Sequence, residues 1–179
     1  MKFLLKFAAG MDWLAEKLGV VAGWAVFLSC IISAGNAFVR YSIDKSSNGW
    51  LEIQWYLFAL AVMFGTSIVL RDNEHVRVDV LYGRFANLKK VWVDIFGLSV
   101  FLMPVCIMMV YLSWPIFERM LVSGEMSNNA GGLIRWPAML MLPLGFTLLG
   151  LQGLAEIIKR VGWLTGTYNM DIQYEKPLQ

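Results

Sequence analysis

Four apolar runs dominate this chain, and each is long enough to cross the hydrocarbon layer of a membrane. They occupy residues 18–39, 50–70, 91–111 and 137–158, and a helix of about 20 residues spans about 30 Å. The runs lack the strict alternation of a β-barrel strand, and a closed barrel is the only other structure that spans a bilayer. The sequence therefore predicts an all-α membrane protein with four transmembrane helices in one domain, residues 1–179.

The positions of the basic residues predict which way the helices run. Eleven of the fifteen Lys and Arg residues lie in the N-terminal segment, the second loop and the C-terminal tail, and four lie in the first and third loops. Basic residues resist translocation across the bacterial inner membrane. We therefore expect a multi-pass inner-membrane protein with its N and C termini in the cytoplasm, and with residues 159–179 as a cytoplasmic tail.

Residues 1–17 form an amphipathic pattern at helical spacing. The apolar face consists of Phe3, Leu4, Phe7, Met11 and Leu14, and the polar face consists of Lys2, Lys6, Asp12, Glu16 and Lys17. This pattern predicts an N-terminal amphipathic interfacial helix, with its apolar face in lipid and its lysines near anionic headgroups. A frayed cytoplasmic tail is the alternative.

Prolines and turn residues divide the second half of the chain. Pro104 and Pro143 lie inside apolar runs, where each removes a backbone hydrogen bond, so a local distortion is expected at both. The third loop, residues 115–135, ends in Ser, Asn and Gly residues that favour turns. Its first part, residues 116–122, is expected to form a short amphipathic helix on the outer membrane surface.

An outer polar patch is predicted from two charged residues near the first loop. Glu52 lies about one turn inside the second run, and Arg40 lies at the end of the first. A buried unpaired charge is costly in hydrocarbon, so an ion pair between these residues, or exposure at the interface, is the simplest interpretation. Asn36 and Gln54 lie nearby in sequence and could extend the patch.

A second polar cluster follows the second run at the inner side of the membrane. It could order the junction to the next helix, contact a partner subunit, or be a solvated loop, and its candidate residues are Arg71, Asn73, Glu74, His75, Arg77 and Asp79. In the fourth run, Gln152 and Glu156 approach the inner interface one turn apart. Lys159 and Arg160 follow them and are expected to reach the inner headgroups.

Several function classes are excluded or made improbable by what the sequence lacks. There is no Walker motif, nucleophile elbow, metalloprotease motif or Cys/His cluster at metal spacing, so we expect no enzyme and no metal or cofactor in this chain. The single histidine lies in a loop, which disfavours a haem held by paired histidines. No basic stripe suggests nucleic acid, and no inverted repeat suggests a self-sufficient carrier.

Three stretches carry a family resemblance that covers most of the chain. The most specific is segment 71–80, and the others are Trp50, Leu51 and Glu52 before it and Trp136, Pro137, Pro143, Leu144, Gly145, Phe146, Leu151 and Gln152 in the fourth run. In this order the features resemble the small membrane (Q-type) subunit of tripartite ATP-independent periplasmic (TRAP) transporters.

The resemblance implies a scaffold subunit and not the carrier itself. A large TRAP membrane subunit would bind the substrate and couple its uptake to sodium, and a periplasmic substrate-binding protein would deliver the substrate. The small subunit would pack against the static part of the large one, among membrane lipids, and would help to dock the binding protein, with the third loop near it. Members of the family import organic acids, so organic acid uptake is the expected process.

Two other functions stay open at this point. A small autonomous proton-linked carrier would use Glu52 as its coupling carboxylate. A membrane-anchoring subunit of a redox complex would co-purify with a haem or flavin chromophore.

Overall fold

The structure, a computed structural model, describes residues 1–45, 47–73 and 85–170. Within these ranges the chain folds into helices α1 (Lys2–Ile43), α2 (Asn48–Arg71), α3 (Asn87–Ser123) and α4 (Trp136–Leu164). Each of the four is long and apolar enough to cross a membrane. The prediction of an all-α protein with four spanning helices is therefore confirmed.

Helix α1 joins the N-terminal segment to the first span without a break. It contains 42 residues, which corresponds to about 63 Å, about twice the thickness of the hydrocarbon layer. The predicted boundary at residue 17 is therefore not a helix boundary. The predicted apolar face is also divided: Phe3 is exposed, whereas Met11 and Leu14 pack with Ala8 against Ala155 of α4.

Helix α3 contains a π-helical turn at Leu98–Leu102, directly before Pro104. Because Pro104 has no backbone N–H and its ring needs space in the preceding turn, a wider turn accommodates it within a continuous helix. The helix then continues to Ser123 and ends at Gly124, whose φ of 61° suits glycine. The prediction of a separate surface helix at residues 116–122 is wrong, since these residues form the last turns of α3.

Helix α4 lies at the centre of the bundle, in contact with α1, α2 and α3, and α1 also packs along α2. Small residues allow the close approach: a Cβ on Gly145 would lie 2.5 Å from Cβ of Met63, and a Cβ on Gly153 would lie 2.6 Å from Cδ2 of Leu102. Pro143, predicted to be structural, is buried inside α4, and Thr147 Oγ1 donates to its carbonyl at 2.7 Å. The backbones of α2, α3 and α4 are thus held close by residues without large side chains.

We expect Gly145→Ala to destabilise the folded chain by about 1–3 kcal/mol, because the added methyl group meets Cβ of Met63, which cannot move without its backbone. Gly23→Ala in α1 is the matched control, since a Cβ there has nothing within 4 Å. Thermal unfolding of the detergent-purified protein would measure both. Equal midpoints for the two variants would contradict the close packing of α2 on α4.

Candidate functional site

A buried carboxylate organises the end of the bundle where α2 begins. Glu52 is 4% exposed. Its Oε2 accepts a hydrogen bond from the backbone N–H of Leu133 at 2.6 Å, and its Oε1 accepts one from Asn129 Nδ2 at 2.8 Å and another from Ser127 Oγ. We call these four residues the Glu52 network. A carboxylate that accepts several hydrogen bonds is stabilised in its ionised form without a cation.

The three donors belong to a short hairpin at residues 125–135. Its two arms are joined by hydrogen bonds from the N–H of Arg135 to the carbonyl of Glu125 at 3.0 Å and from the N–H of Ser127 to the carbonyl of Leu133 at 2.9 Å. The side chains of Glu125 and Arg135 pair at 2.7 Å. Gly131 turns the chain with a φ of 72°, a conformation that glycine adopts at little cost. The sequence predicted turns here but no pairing between the arms.

Further contacts seat this hairpin on the first two turns of α2. Asn48 Nδ2 donates to the carbonyl of Ala130 at 3.1 Å, and Tyr56 Oη donates to the carbonyl of Ile134 at 2.6 Å. A Cβ on Gly49 would lie 3.2 Å from the carbonyl oxygen of Gly131, so the two backbones are almost in contact. The third loop is therefore an ordered platform fixed to α2.

The predicted ion pair between Arg40 and Glu52 is not formed, although both residues lie in described parts of the chain. Arg40 is exposed in the last turn of α1, whereas Glu52 is buried and bound by the hairpin. Asn36 and Gln54 do not join the network either. Uncharged donors in the hairpin reach the carboxylate over a short distance and without burying a second charge, which is the cheaper arrangement.

A second network lies at the opposite end of α2, where Arg71 is 19 residues and about 28 Å from Glu52 along the helix. It is built on α4 and receives one carboxylate each from α1 and α3. We call it the Asp12 network, and its members are Asp12, Asp94, Gln152, Glu156, Lys159 and Arg160.

Lys159 and Arg160 provide the two positive charges of the Asp12 network. Lys159 Nζ lies 2.9 Å and 3.2 Å from the two carboxylate oxygens of Asp12, and it also pairs with Glu156. Arg160 is 2% exposed; its Nε donates to Asp94 Oδ2 at 3.1 Å and its Nη1 donates to Glu156. Buried ions of this kind are tolerated because each one is paired and hydrogen-bonded.

Gln152 and Arg71 make the remaining contacts of α4 and α2 with Asp12. Gln152, fully buried, donates through Nε2 to Asp12 Oδ1 at 2.9 Å and to Glu156 Oε1 at 3.3 Å. Arg71, at the end of α2, donates to the backbone carbonyl of Asp12 at 3.1 Å and pairs with Glu16 at 3.6 Å. All four helices therefore meet around the Asp12 network.

The expectation that Lys159 and Arg160 extend to lipid headgroups is wrong. Helix α4 continues through both to Leu164, and both side chains are buried. Their partners Asp12 and Asp94 were missed, because Asp12 had been placed on a solvated face and Asp94 lies in an apolar run. A signal was present: positions 152, 156, 159 and 160 share one face of a helix. The predicted neighbours Gln152 and Glu156 do lie together, one turn apart.

The polar cluster after α2 is described only in part. Arg71 forms the contacts given above, and the N–H of Asn73 donates to the carbonyl of Leu70 at 3.4 Å. Glu74, His75, Arg77 and Asp79 lie outside the described residues. A subunit contact at this cluster stays a prediction.

Comparison with known proteins assigns this arrangement to a family. The family model described as "Tripartite ATP-independent periplasmic transporters, DctQ component" matches residues 29–162, three quarters of the chain. No curated protein and no solved structure gives a significant match. Most members of both networks lie within the matched part. Within residues 1–45, 47–73 and 85–170, no group of three His, Cys, Asp or Glu side chains is placed to hold a metal ion.

We expect Glu52→Ala to release the hairpin from α2, because Ser127, Asn129 and Leu133 lose their shared acceptor. Leaving buried donors unsatisfied costs about 1–3 kcal/mol, so the amide of Leu133 should exchange its hydrogen on the order of ten-fold faster or more. Hydrogen–deuterium exchange of peptides covering residues 125–135 measures this. Glu118→Ala, at an exposed position of α3, is the control and should leave the exchange unchanged. Slow exchange in Glu52→Ala would show that the carboxylate does not hold the hairpin.

We expect Arg160→Met to destabilise the chain by about 3–5 kcal/mol, because Asp94 and Glu156 lose a partner in a buried site. Arg119→Met removes the same charge from an exposed position of α3 and serves as the control. Thermal unfolding and the yield of monodisperse protein would compare the two. If both variants had the same unfolding midpoint as the wild type, Arg160 would not be the electrostatic link between α3 and α4.

Proposed function

Because the chain belongs to the DctQ component family of tripartite ATP-independent periplasmic transporters, we propose that it is the scaffold subunit of a sodium-coupled transporter for organic acids. The family consists of transporter subunits, so this chain is a multi-pass inner-membrane protein and not an enzyme. In the proposal, the large membrane subunit binds substrate and sodium, and the periplasmic binding protein delivers the substrate.

The observation that carries the scaffold role is the internal pairing of buried charge. Glu52 is held by the hairpin, and Asp12, Asp94 and Glu156 are paired with Lys159 and Arg160. Among the described residues, these groups already have partners from the same chain. A site that binds and releases a charged substrate needs polar groups that can exchange partners. The arrangement therefore favours a rigid support over a carrier.

Large apolar side chains on the outside of the bundle support packing against a hydrophobic partner. Trp24 and Phe27 of α1 and Phe96, Phe101 and Met108 of α3 are all more than half exposed. In a membrane, these faces contact either lipid or the large subunit. Both environments suit them, and the proposal assigns part of this surface to the static portion of the large subunit.

The positive-inside distribution supports an orientation with both termini in the cytoplasm. In that orientation the Asp12 network lies near the cytoplasmic side, and the Glu52 network with its hairpin lies near the periplasm. We propose that the hairpin forms part of the surface on which the periplasmic binding protein docks. Its fixed seating on α2 would present a preformed shape to that partner.

The competing function, a proton-linked carrier that uses Glu52, receives less support from the geometry. Proton uptake by Glu52 would weaken hydrogen bonds from Asn129, Ser127 and the backbone of Leu133, all of which favour the ionised carboxylate. The carboxylate is also buried and bound by the hairpin. We therefore propose that Glu52 has a structural role and fixes the hairpin to α2.

We expect the chain reconstituted alone in proteoliposomes to take up no organic acid under a sodium or proton gradient, because the buried charges of the described residues are already paired within the chain. A tagged copy isolated from its native membrane should co-purify with a much larger hydrophobic subunit. Uptake by that complex, with the binding protein added, is the positive control. Uptake by the isolated chain that Glu52→Gln abolished would establish the carrier instead.

A further inference from the structure

Two buried polar atoms next to the Asp12 network have no hydrogen-bond partner among the residues that the structure describes. They are Oγ of Ser67 in α2 and Oε1 of Gln152 in α4. Ser67 is 2% exposed and Gln152 is 0% exposed. Buried polar atoms are almost always hydrogen-bonded, because an unsatisfied one costs about 1–3 kcal/mol. Two such atoms in one region indicate a shared partner.

Ser67 differs in its hydrogen bonding from Ser113, the other buried serine of the described residues, and from its neighbour Thr66. Ser113, equally buried at 2%, donates to the carbonyl of Met109 at 2.6 Å, and Thr66 donates to the carbonyl of Met63 at 2.9 Å. These bonds to the preceding turn are the usual solution for Ser and Thr within a helix. Ser67 does not form one, so its hydroxyl is directed away from its own backbone acceptor.

The helix register brings Ser67 and Gln152 to the same junction. Helices α2 and α4 run in the same direction, and Met63 of α2 lies against Gly145 of α4. Ser67 is one turn beyond Met63, and Gln152 is two turns beyond Gly145. Side chains on a helix lean toward its N-terminus, which brings Gln152 back toward the level of Ser67.

Asp12 provides an independent link between the same two positions. Gln152 donates to its carboxylate at 2.9 Å, and Arg71, one turn after Ser67, donates to its carbonyl at 3.1 Å. Gln152 thus contacts Asp12 directly, and the long side chain of Arg71 reaches Asp12 from the residue one turn beyond Ser67.

We propose that a single buried water molecule bridges Ser67 Oγ and Gln152 Oε1. Water can donate to the amide oxygen of Gln152 and exchange a second hydrogen bond with the hydroxyl of Ser67, and bridging waters commonly satisfy such atoms. A cation is not needed, because Asp12 and Glu156, the two acceptors of Gln152 Nε2, are already paired with Lys159 or Arg160.

This water gives Ser67 and Gln152 a defined role in the Asp12 network. It holds the amide oxygen of Gln152 away from the carboxylates, so that Nε2 keeps facing Asp12 and Glu156. It also joins α2 to the network through a side chain, in addition to the contact that Arg71 makes with the backbone of Asp12. This inference does not depend on the proposed transport role.

Thermal unfolding of the full chain distinguishes a hydrated site from a dry one. Ser67→Ala should lower the midpoint by roughly 2–4 °C, since it removes one of the partners of the water and leaves Gln152 unsatisfied. Gln152→Met should lower it too, and the double variant should cost less than the sum of both changes. Ser113→Ala, at equal burial, should cause little change. An unchanged or raised midpoint in Ser67→Ala would overturn the proposal.

Radiolytic hydroxyl labelling tests the water in the unmodified protein. Radicals formed from a bound water oxidise neighbouring side chains that bulk solvent cannot reach. Leu70, level with Gln152 by register, should be labelled in wild type and lose its label in Ser67→Ala. Phe117, equally exposed at 8%, is intrinsically more reactive and should stay unlabelled as the dry control. Absence of label at Leu70 in wild type would refute the buried water.

Discussion

Lys159 and Arg160 bring two positive charges into the place where all four helices meet, and the geometry of the bundle follows from the need to neutralise them there. Their partners come from α1, α3 and α4 itself. An ion in a low-dielectric interior loses several kcal/mol of hydration, which only well-placed counter-charges and hydrogen bonds restore. The positions of Asp12 and Asp94 are thereby specified in a way that apolar packing alone would not achieve. Once α4 is fixed by these contacts, its glycine and proline residues determine how closely α2 and α3 can approach it.

The two networks stabilise opposite ends of the bundle by different contacts. At one end, charged groups bind one helix to another; at the other end, a carboxylate binds a loop to a helix. Between them lie spans whose large side chains face outward. A subunit with this distribution is held together by polar contacts at both ends of the bundle and offers an apolar exterior in between. Such properties suit a part that stays fixed while a partner moves.

The sequence predicted the four spans well because hydropathy over 20 residues is a local property that tertiary contacts rarely override. It predicted the ends of the helices poorly. Residue 17 ends an amphipathic pattern and residue 115 is a proline, but neither ends a helix, because favourable backbone geometry continues past both. For Glu52 the sequence predicted a pair with Arg40 or exposure at the interface, whereas its donors are more than 70 residues away in the chain. Pairings over such distances are set by the fold. The shared helical face of Gln152, Glu156, Lys159 and Arg160 indicates a buried polar site on α4, but it does not show that Asp12 and Asp94 face that site.

The π-helical turn of α3 has a geometric consequence for the whole helix. Each residue of an α-helix advances by about 100°, so a regular helix from Asn87 would turn Cys106, Ser113 and Phe117 about 90° away from the face that carries Val91 and Asp94. One wide turn at Leu98–Leu102 absorbs the equivalent of one residue and restores the alignment. Both halves of α3 can therefore present their buried side chains to α4. The directions of the side chains along α3 are therefore those of a regular α-helix with one residue fewer.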